Sequence, residues 1–216
     1  RENDMDEKFF QKLKENIQKY FEPHKGHGFD HTERVYNLAL KISIGEDVDL
    51  DIVKSAALLH DIARVKEEEN GKICHAEEGA KMAKGILSEM SFPKEKISKV
   101  CDAIMVHRYS KGLKAKTKEA EILQDADRLD ALGAIIIGRV FMKSGAMKRP
   151  MHNPKIKPSK QYKSKASTSL NHFYEKILKI RPETFKTKKA KEIAKERYEF
   201  VKEFVNRFEK EWEGEL

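Results

Sequence analysis

Ala-Ala-Leu-Leu-His-Asp-Ile-Ala-Arg, residues 56–64, is an apolar run that contains an adjacent histidine and aspartate. Val53, Ala57 and His60 lie at helical spacing, which predicts a helix whose inward face carries an imidazole. Because consecutive helical positions point about 100° apart, His60 and Asp61 can hold one ion beside the helix. The residues alone also allow a buried His60 that hydrogen-bonds to a backbone carbonyl, with Asp61 in solvent, since a buried polar ring needs a partner.

Helical periodicity continues outward from this run along nearly the whole chain. Residues 119–143 are strongly apolar and predict one long central helix despite Gly133 and Gly138. We therefore expect an all-α fold, with a compact core of about seven or eight helices. The predicted helices span about 6–20, 30–44, 49–60, 76–90, 94–107, 119–143, 168–180 and 186–212.

The chain has 216 residues, of which 37% are charged, and a formal net charge of +8. No run of about 18 apolar residues occurs, and residues 1–20 lack the apolar segment of a secretory signal. We therefore expect a cytoplasmic protein with no membrane partner. Two cysteines provide neither a disulfide framework nor a CxxC metal knuckle. The positive charge favours anionic ligands, while interleaved Glu and Lys argue against a dedicated nucleic-acid face.

The segment 144–166 is rich in proline and lysine and has no acidic residue. A long irregular loop in a compact helical protein is usually functional or disordered. Two interpretations follow, a mobile basic lid and a solvated loop. The basic residues concerned are Lys148, Arg149, Lys155, Lys157 and Lys160.

Further candidates for metal ligands lie on both sides of the histidine–aspartate pair. His31 begins the second predicted helix, and Asp125, Asp127 and Asp130 fall within six residues of apolar sequence. Carboxylates in such a helix are costly unless a cation compensates them. Imidazole and carboxylate ligands without a thiolate suit Fe, Mn, Ni, Co or Zn, and Mg more weakly.

The order His31, His60-Asp61, Asp127 resembles the HD superfamily of metal-dependent phosphohydrolases, which is named after this doublet. The resemblance implies an all-α core, one metal ion between helices and hydrolysis of a phosphate ester or anhydride. Further matches to the small bacterial and archaeal members are Asp-Ala-Asp-Arg-Leu-Asp-Ala-Leu-Gly-Ala at 125–134, Gly-Arg-Val-Phe at 138–141, His-Phe at 172–173 and Glu-Trp-Glu-Gly at 211–214.

Carried over residue by residue, the resemblance implies that His31, His60, Asp61 and Asp127 ligate one divalent metal ion. Asp127 is chosen over Asp125 because the family ligand is the second aspartate of the Asp-Ala-Asp run. The resemblance also implies a single HD domain over residues 1–216. Its metal-site core would span about 24–143, and its C-terminal helices about 168–212.

His75 and His107 allow two interpretations of the catalytic centre. Dinuclear relatives insert two further histidines between the doublet and the last aspartate, and both positions fit. The pair either holds a second metal bridged by Asp61, or binds phosphate and protonates the leaving group. We favour one metal because close relatives of the small type resemble mononuclear enzymes. Asp61 then also orients water, and His75 or His107 acts as the acid.

Arginines near these positions are candidates for binding the substrate. Arg34 and Arg64 each follow a predicted ligand by about one helical turn, and Arg128 directly follows Asp127. Arg139 lies three turns further along the predicted long helix. A guanidinium there can fork a phosphate or neutralise a buried aspartate.

The sequence therefore predicts a phosphohydrolase that acts on a nucleotide or another small phosphorylated metabolite through a metal-activated water. Two other classes stay open, a di-iron HD-type oxygenase and a nucleic-acid-binding or regulatory HD module. The intact ligand set argues against a pure binding module. A homodimer is compatible with the sequence.

Overall fold

The computed structural model describes residues 5–21, 28–160 and 166–216. These residues are helical and contain no β-strand, so the expected all-α fold class is confirmed. The start of the predicted metal-site core and the last part of the 144–166 loop lie outside the described residues. The α-helices are α1 (Glu7–Ile17), α2 (Phe29–Ser43), α3 (Leu50–Leu59), α4 (Arg64–Glu69), α5 (His75–Glu89), α6 (Lys94–Val106), α7 (Lys118–Leu129), α8 (Ala134–Ala146), α9 (Ser169–Glu175) and α10 (Lys188–Glu213).

Side-chain caps begin several of these helices. Asp6 accepts a hydrogen bond from the backbone N–H of Phe9, and Asp49 accepts from those of Asp51 and Ile52. Such caps satisfy backbone donors that have no partner within the first helical turn. Asp49 is the N-cap of α3 and so sets the start of that helix.

The chain divides into two compact units, residues 1–127 and 128–216. In the first unit α3 packs against α2 and α6, and α5 packs against α6. Eight of the ten residues of α3 are buried, so α3 is the central helix of this unit. His60 and Asp61, which directly follow α3, therefore lie in the interior of this unit. One HD domain over the whole chain stays a prediction.

The predicted long helix over 119–143 is wrong. Helix α7 ends at Leu129, and α8 begins at Ala134. Gly133 between them has a φ of +85°, and a Cβ at this position would lie 3.1 Å from Cγ of Arg197. A left-handed residue cannot continue a right-handed helix, and glycine adopts that conformation at little cost. Arg139 consequently lies on α8 rather than on the helix that carries Asp127.

The second unit has an aromatic core between α8, α9 and α10. The ring of Phe141 on α8 lies 6.0 Å from that of Phe173 on α9, and 5.7 Å from that of Phe208 on α10. The described part of the 144–166 loop hydrogen-bonds to α9: the backbone N–H of Ser159 donates to Glu175, and Asn171 donates to the carbonyl of Ile156. Within the described ranges, no helix combines the length and the apolarity that crossing a membrane requires.

Candidate metal centre

Helix ends and one helix interior bring imidazoles and carboxylates together in the first unit. All of these residues except Asp127 are at most 4% exposed, so their side chains face one another rather than solvent. The six residues are His31 in the first turn of α2, His60 and Asp61 directly after α3, His75 at the start of α5, His107 directly after α6, and Asp127 within α7.

The first cluster contains His31, His60, Asp61 and Asp127. Nε2 of His31 lies 3.3 Å from Nε2 of His60, 3.7 Å from Oδ2 of Asp61 and 3.4 Å from Oδ1 of Asp127. Nε2 of His60 lies 3.9 Å from the same Oδ2 of Asp61. These atoms come from three segments of the chain: the start of α2, the residues that follow α3, and α7.

The second cluster shares Asp61 with the first. The other carboxylate oxygen of Asp61, Oδ1, lies 3.4 Å from Nε2 of His75 and 3.7 Å from Nε2 of His107. The two Nε2 atoms lie 3.3 Å apart. Asp61 therefore presents Oδ2 to one pair of imidazoles and Oδ1 to the other.

Backbone carbonyls fix the orientation of two imidazoles. Nδ1 of His60 lies 2.8 Å from the carbonyl oxygen of Ala57, and Nδ1 of His107 lies 2.6 Å from that of Ile104. A carbonyl only accepts, so each Nδ1 carries a proton and donates it. In the neutral ring Nε2 then has a free lone pair directed into its cluster. The sequence allowed His60 either to hydrogen-bond to a backbone carbonyl or to ligate a metal. Both are possible at once, because the carbonyl contacts Nδ1 and a metal would bind Nε2.

Burial and neighbouring charges shift the pKa values of the cluster residues, downward for His60, His75 and Asp127 and upward for His107. Burial lowers the pKa of His60 to about 4, so that its ring is neutral near pH 7. Burial also lowers the pKa of His75. For His107 burial acts in the same direction, but the hydrogen bond and the charge of Asp61 outweigh it and raise the pKa. Burial disfavours an ionised Asp127, yet the hydrogen bond from His31 and the neighbouring imidazoles hold the pKa of this carboxyl well below its usual range.

The donor set fits a divalent cation. His31, His60 and Asp61 each offer one ligand atom within 4.8 Å of the others, and Asp61, His75 and His107 form a second such group. Neutral imidazole nitrogens and ionised carboxylates are ligands of first-row divalent metals. The free lone pair of His60, which has no solvent contact, is a specific reason to place a cation there.

Asp125 and Asp127 differ in their surroundings although both lie on α7. The side chain of Asp127 is 27% exposed and contacts His31, whereas Asp125 is fully buried. The structure thus places Asp127, the residue chosen from the motif, beside an imidazole of the first cluster.

The two candidate arginines of the first unit have different partners, and only for Arg64 is one of them an imidazole of a cluster. Nη1 of Arg34 pairs with Oδ2 of Asp30 at 2.7 Å on the exposed side of α2. Nη1 of Arg64 lies 3.0 Å from Nδ1 of His75 and 3.1 Å from Oε2 of Glu67. Arg64 is therefore next to the second cluster.

The other two candidate arginines contact residues of the second unit. Arg128 donates to the carbonyl and the hydroxyl of Thr184 at 2.9 and 2.6 Å, and its guanidinium lies 4.3 Å from the ring centroid of Phe185. Arg139 pairs with Asp130 at 2.7 Å. Arg139 therefore neutralises a buried aspartate, which is one of the two roles that the sequence allows for these arginines.

Two residues beside the second cluster were missed by the sequence analysis. Oε2 of Glu67 lies 2.7 Å from Nδ1 of His75, and Oε1 of Glu67 lies 2.7 Å from Nη1 of Arg108. Glu67 stands in a run of three glutamates that is typical of a solvated face. No local sequence signal distinguishes Glu67 from Glu68 and Glu69. Its position on α4 directs it toward His75, whereas the other two glutamates are exposed.

A helical fold in which helix ends gather His, His-Asp and Asp in this order defines the HD-domain class. Consistent with this, the model of the HD domain family matches residues 28–132. The YpgQ protein of Bacillus subtilis (strain 168) is 32% identical over 196 residues, which cover 88% of this chain and 86% of that protein.

Solved structures agree with the family match. An HD-superfamily hydrolase from Bacillus thuringiensis is 34% identical, with a TM-score of 0.77, over 95% of this chain and 97% of that chain. The structure of Bacillus subtilis YpgQ in complex with ADP is 29% identical, with a TM-score of 0.73, over 94% of this chain and 95% of that chain. This chain belongs to the HD superfamily, as the resemblance in the sequence implied. HD domains bind divalent metals, and the His/Asp groups described above could hold one.

Proposed function

We propose that this protein is a metal-dependent phosphohydrolase that acts on a nucleotide or another small phosphorylated metabolite. The observation that carries the proposal is the buried contact between Nε2 of His31 and Nε2 of His60, with carboxylate oxygens of Asp61 and Asp127 around them. A site that only binds nucleic acid has no use for buried imidazoles and carboxylates gathered in this way.

One divalent ion would be held by His31, His60, Asp61 and Asp127. When bound there, it supplies Lewis-acid chemistry: it makes water more acidic near neutral pH and draws charge from a phosphoryl oxygen. The donor set accepts Fe, Mn, Ni, Co or Zn, and Mg more weakly.

The chain's own groups position the reacting water and supply a proton. Asp61 Oδ2 faces the first cluster and accepts a hydrogen bond from the attacking water, which orients it. In the second cluster, two Nε2 atoms lie 3.3 Å apart, at hydrogen-bonding distance, which requires a proton between them when no ion is present. We assign this proton to Nε2 of His107. Because Nδ1 of His107 already donates a proton to the carbonyl of Ile104, the ring is then a cationic imidazolium, and its Nε2–H protonates the leaving oxygen while His75 accepts the hydrogen bond.

A phosphorylated substrate is favoured by charge and by one relative. The net charge of +8 attracts anions, and YpgQ of Bacillus subtilis has been solved with ADP. Among the proposed substrate-binding arginines, Arg64 lies next to the second cluster. Arg34, Arg128 and Arg139 stay proposals for this role.

The test is a phosphate-release screen of purified protein, with each candidate metal, over nucleoside mono-, di- and triphosphates and sugar phosphates. Released phosphate and pyrophosphate are both measured. We expect hydrolysis that EDTA abolishes and added metal restores, and that is lost in Asp61→Asn. Asp102→Asn, at an exposed carboxylate of α6, is the matched control and should keep full activity. Absence of hydrolysis with every metal and phosphorylated substrate would contradict the proposal.

A di-iron oxygenase is the second candidate, and the two faces of Asp61 are the observation that favours it. Each carboxylate oxygen lies within 4 Å of two imidazole Nε2 atoms, an arrangement that admits two bridged ions. Protein loaded anaerobically with Fe(II) distinguishes the candidates. The oxygenase would hold two iron ions per chain and consume oxygen with a substrate, whereas the phosphohydrolase releases phosphate without oxygen consumption.

A further inference from the structure

Glu67 contacts donors from three different segments beside the second cluster. Its Oε2 lies 2.7 Å from Nδ1 of His75 and 3.1 Å from Nη1 of Arg64, and its Oε1 lies 2.7 Å from Nη1 of Arg108. The side chain of Glu67 is only 18% exposed. A carboxylate with three charge-assisted or short hydrogen bonds has little freedom to move.

This contact selects the tautomer of His75. A carboxylate oxygen at 2.7 Å from a ring nitrogen is stable only if that nitrogen carries a proton, so His75 bears its proton on Nδ1. Its Nε2 is then a pure acceptor, 3.3 Å from Nε2 of His107 and 3.4 Å from Oδ1 of Asp61. The opposite tautomer would direct an N–H toward the proton that His107 carries.

We propose that Glu67 is a positioning residue that holds His75 as a proton acceptor toward His107. The kinetic part of this proposal rests on the proposed phosphohydrolase function, whereas the tautomer does not. When Glu67 is removed, Arg64 replaces it as the hydrogen-bond partner of Nδ1 of His75. Its Nη1 lies 3.0 Å from Nδ1 of His75, so without the carboxylate it donates to that nitrogen and the ring proton moves to Nε2.

The direct test is NMR of metal-free protein in which the histidines carry ¹⁵N. The chain has 8 histidines, and the signals of His75 are assigned by their loss in His75→Gln. In wild-type protein we expect the ¹⁵N shift of a protonated Nδ1 and an unprotonated Nε2. In Glu67→Ala we expect the Nε2–H tautomer to become the main form. Glu69→Ala, at an exposed position of the same helix, is the matched control and should leave the His75 signals unchanged.

Steady-state kinetics of the same variants test whether the position of His75 affects catalysis. Second-sphere partners of site histidines typically contribute about 10–100-fold in activity, so Glu67→Ala should lower kcat by about that factor at a nearly constant KM. Glu67→Asp keeps the carboxylate and should recover part of the loss, and Glu69→Ala should have wild-type kcat. Melting curves establish that each variant is folded, and Glu67→Gln replaces Glu67→Ala if the latter unfolds.

The possible outcomes separate the two proposals. Wild-type His75 with its proton on Nε2, or a tautomer that Glu67→Ala leaves unchanged, overturns the positioning role even if kcat falls. A shifted tautomer with unchanged kcat overturns it as well. If wild-type protein hydrolyses no phosphorylated compound, the proposed function fails. The NMR comparison still tests whether Glu67 sets the tautomer of His75.

Discussion

Nε2 of His31 and Nε2 of His60 lie 3.3 Å apart in the interior of the first unit. The Nδ1 proton of His60 is donated to the carbonyl of Ala57, so the Nε2 of His60 has only a lone pair to offer. Such a lone pair, buried and opposite a second imidazole, is stabilised by a cation or by a proton from His31. A metal ion would satisfy both rings together with the carboxylate of Asp61, and three predictions follow from this site. A fourth prediction concerns His172 in the second unit.

Replacement of His60 by Gln, or of Asp61 by Asn, should abolish metal binding. Wild-type protein should contain about one divalent ion per chain after gel filtration, and either variant less than about a tenth of that, because a ligand has been removed from a site with few donors. Metal analysis gives the stoichiometry, and circular dichroism should show nearly unchanged helix content. Full metal content in both variants would contradict the assignment of the ligands.

Asp127→Asn should weaken metal binding more than Asp125→Asn. Asp127 contacts His31, and its ionised carboxylate is the form that ligates, whereas Asp125 is fully buried on the same helix. We expect at least about a tenfold rise in the metal Kd for Asp127→Asn, measured by competition with a fluorescent chelator. Asp125→Asn serves as the matched control, and loss of the ion in that variant alone would show that the assigned ligand is the wrong aspartate.

His107→Ala should keep about one tightly bound ion and lose activity. A positioned acid is worth roughly 10²–10⁴ in rate, and the loss should shrink for substrates with better leaving groups, because they need less protonation. Initial rates over a series of aryl phosphates, or of another accepted substrate class, measure this dependence. Met105→Ala, at a partly exposed position of the same helix, is the control. Wild-type protein with two ions, and His107→Ala with one, would instead establish a dinuclear centre.

His172 in the second unit should make the folded state sensitive to acid. Burial, with the charges of Lys176, Arg149 and Lys143, lowers its pKa to about 4, whereas the unfolded chain has a pKa near 6.5. Between these values the unfolded state binds the proton more readily, so wild-type stability falls as the pH decreases from about 6.5 to about 4.

Denaturation of metal-free wild-type protein and His172→Gln at several pH values tests this expectation. The difference between their free energies of unfolding should change in favour of the variant by at most about 1.4 kcal/mol per pH unit below pH 6.5, and stay constant above pH 7.5. All other titrating groups are common to both proteins. Parallel stability curves would show that His172 does not titrate differently on folding.

Local sequence predicted most of the helices but missed α4 and the break between α7 and α8, and the resemblance to the HD superfamily implied the residues of the first cluster. Apolar residues at helical spacing, the N-cap Asp49 and Pro93 before α6 are signals within a few residues, because helix formation depends on contacts between positions three and four apart. The doublet of His60 and Asp61 follows from the same stripe, since the helix that buries Ala57 also brings His60 into the interior.

The partners of these residues depend on contacts between segments that are distant in the chain. Glu67 and His75 meet because α4 and α5 fold against each other, and Arg197 of α10 comes so near to Gly133 that a Cβ there would lie 3.1 Å from its Cγ. Contacts between such distant segments cannot be predicted from a local sequence pattern. The sequence by itself predicted the all-α fold class through short-range periodicity, and it implied the metal ligands through its resemblance to the HD superfamily. Only the tertiary structure decided that Asp61 faces two imidazole pairs and that Glu67 lies against Nδ1 of His75, because both depend on long-range packing.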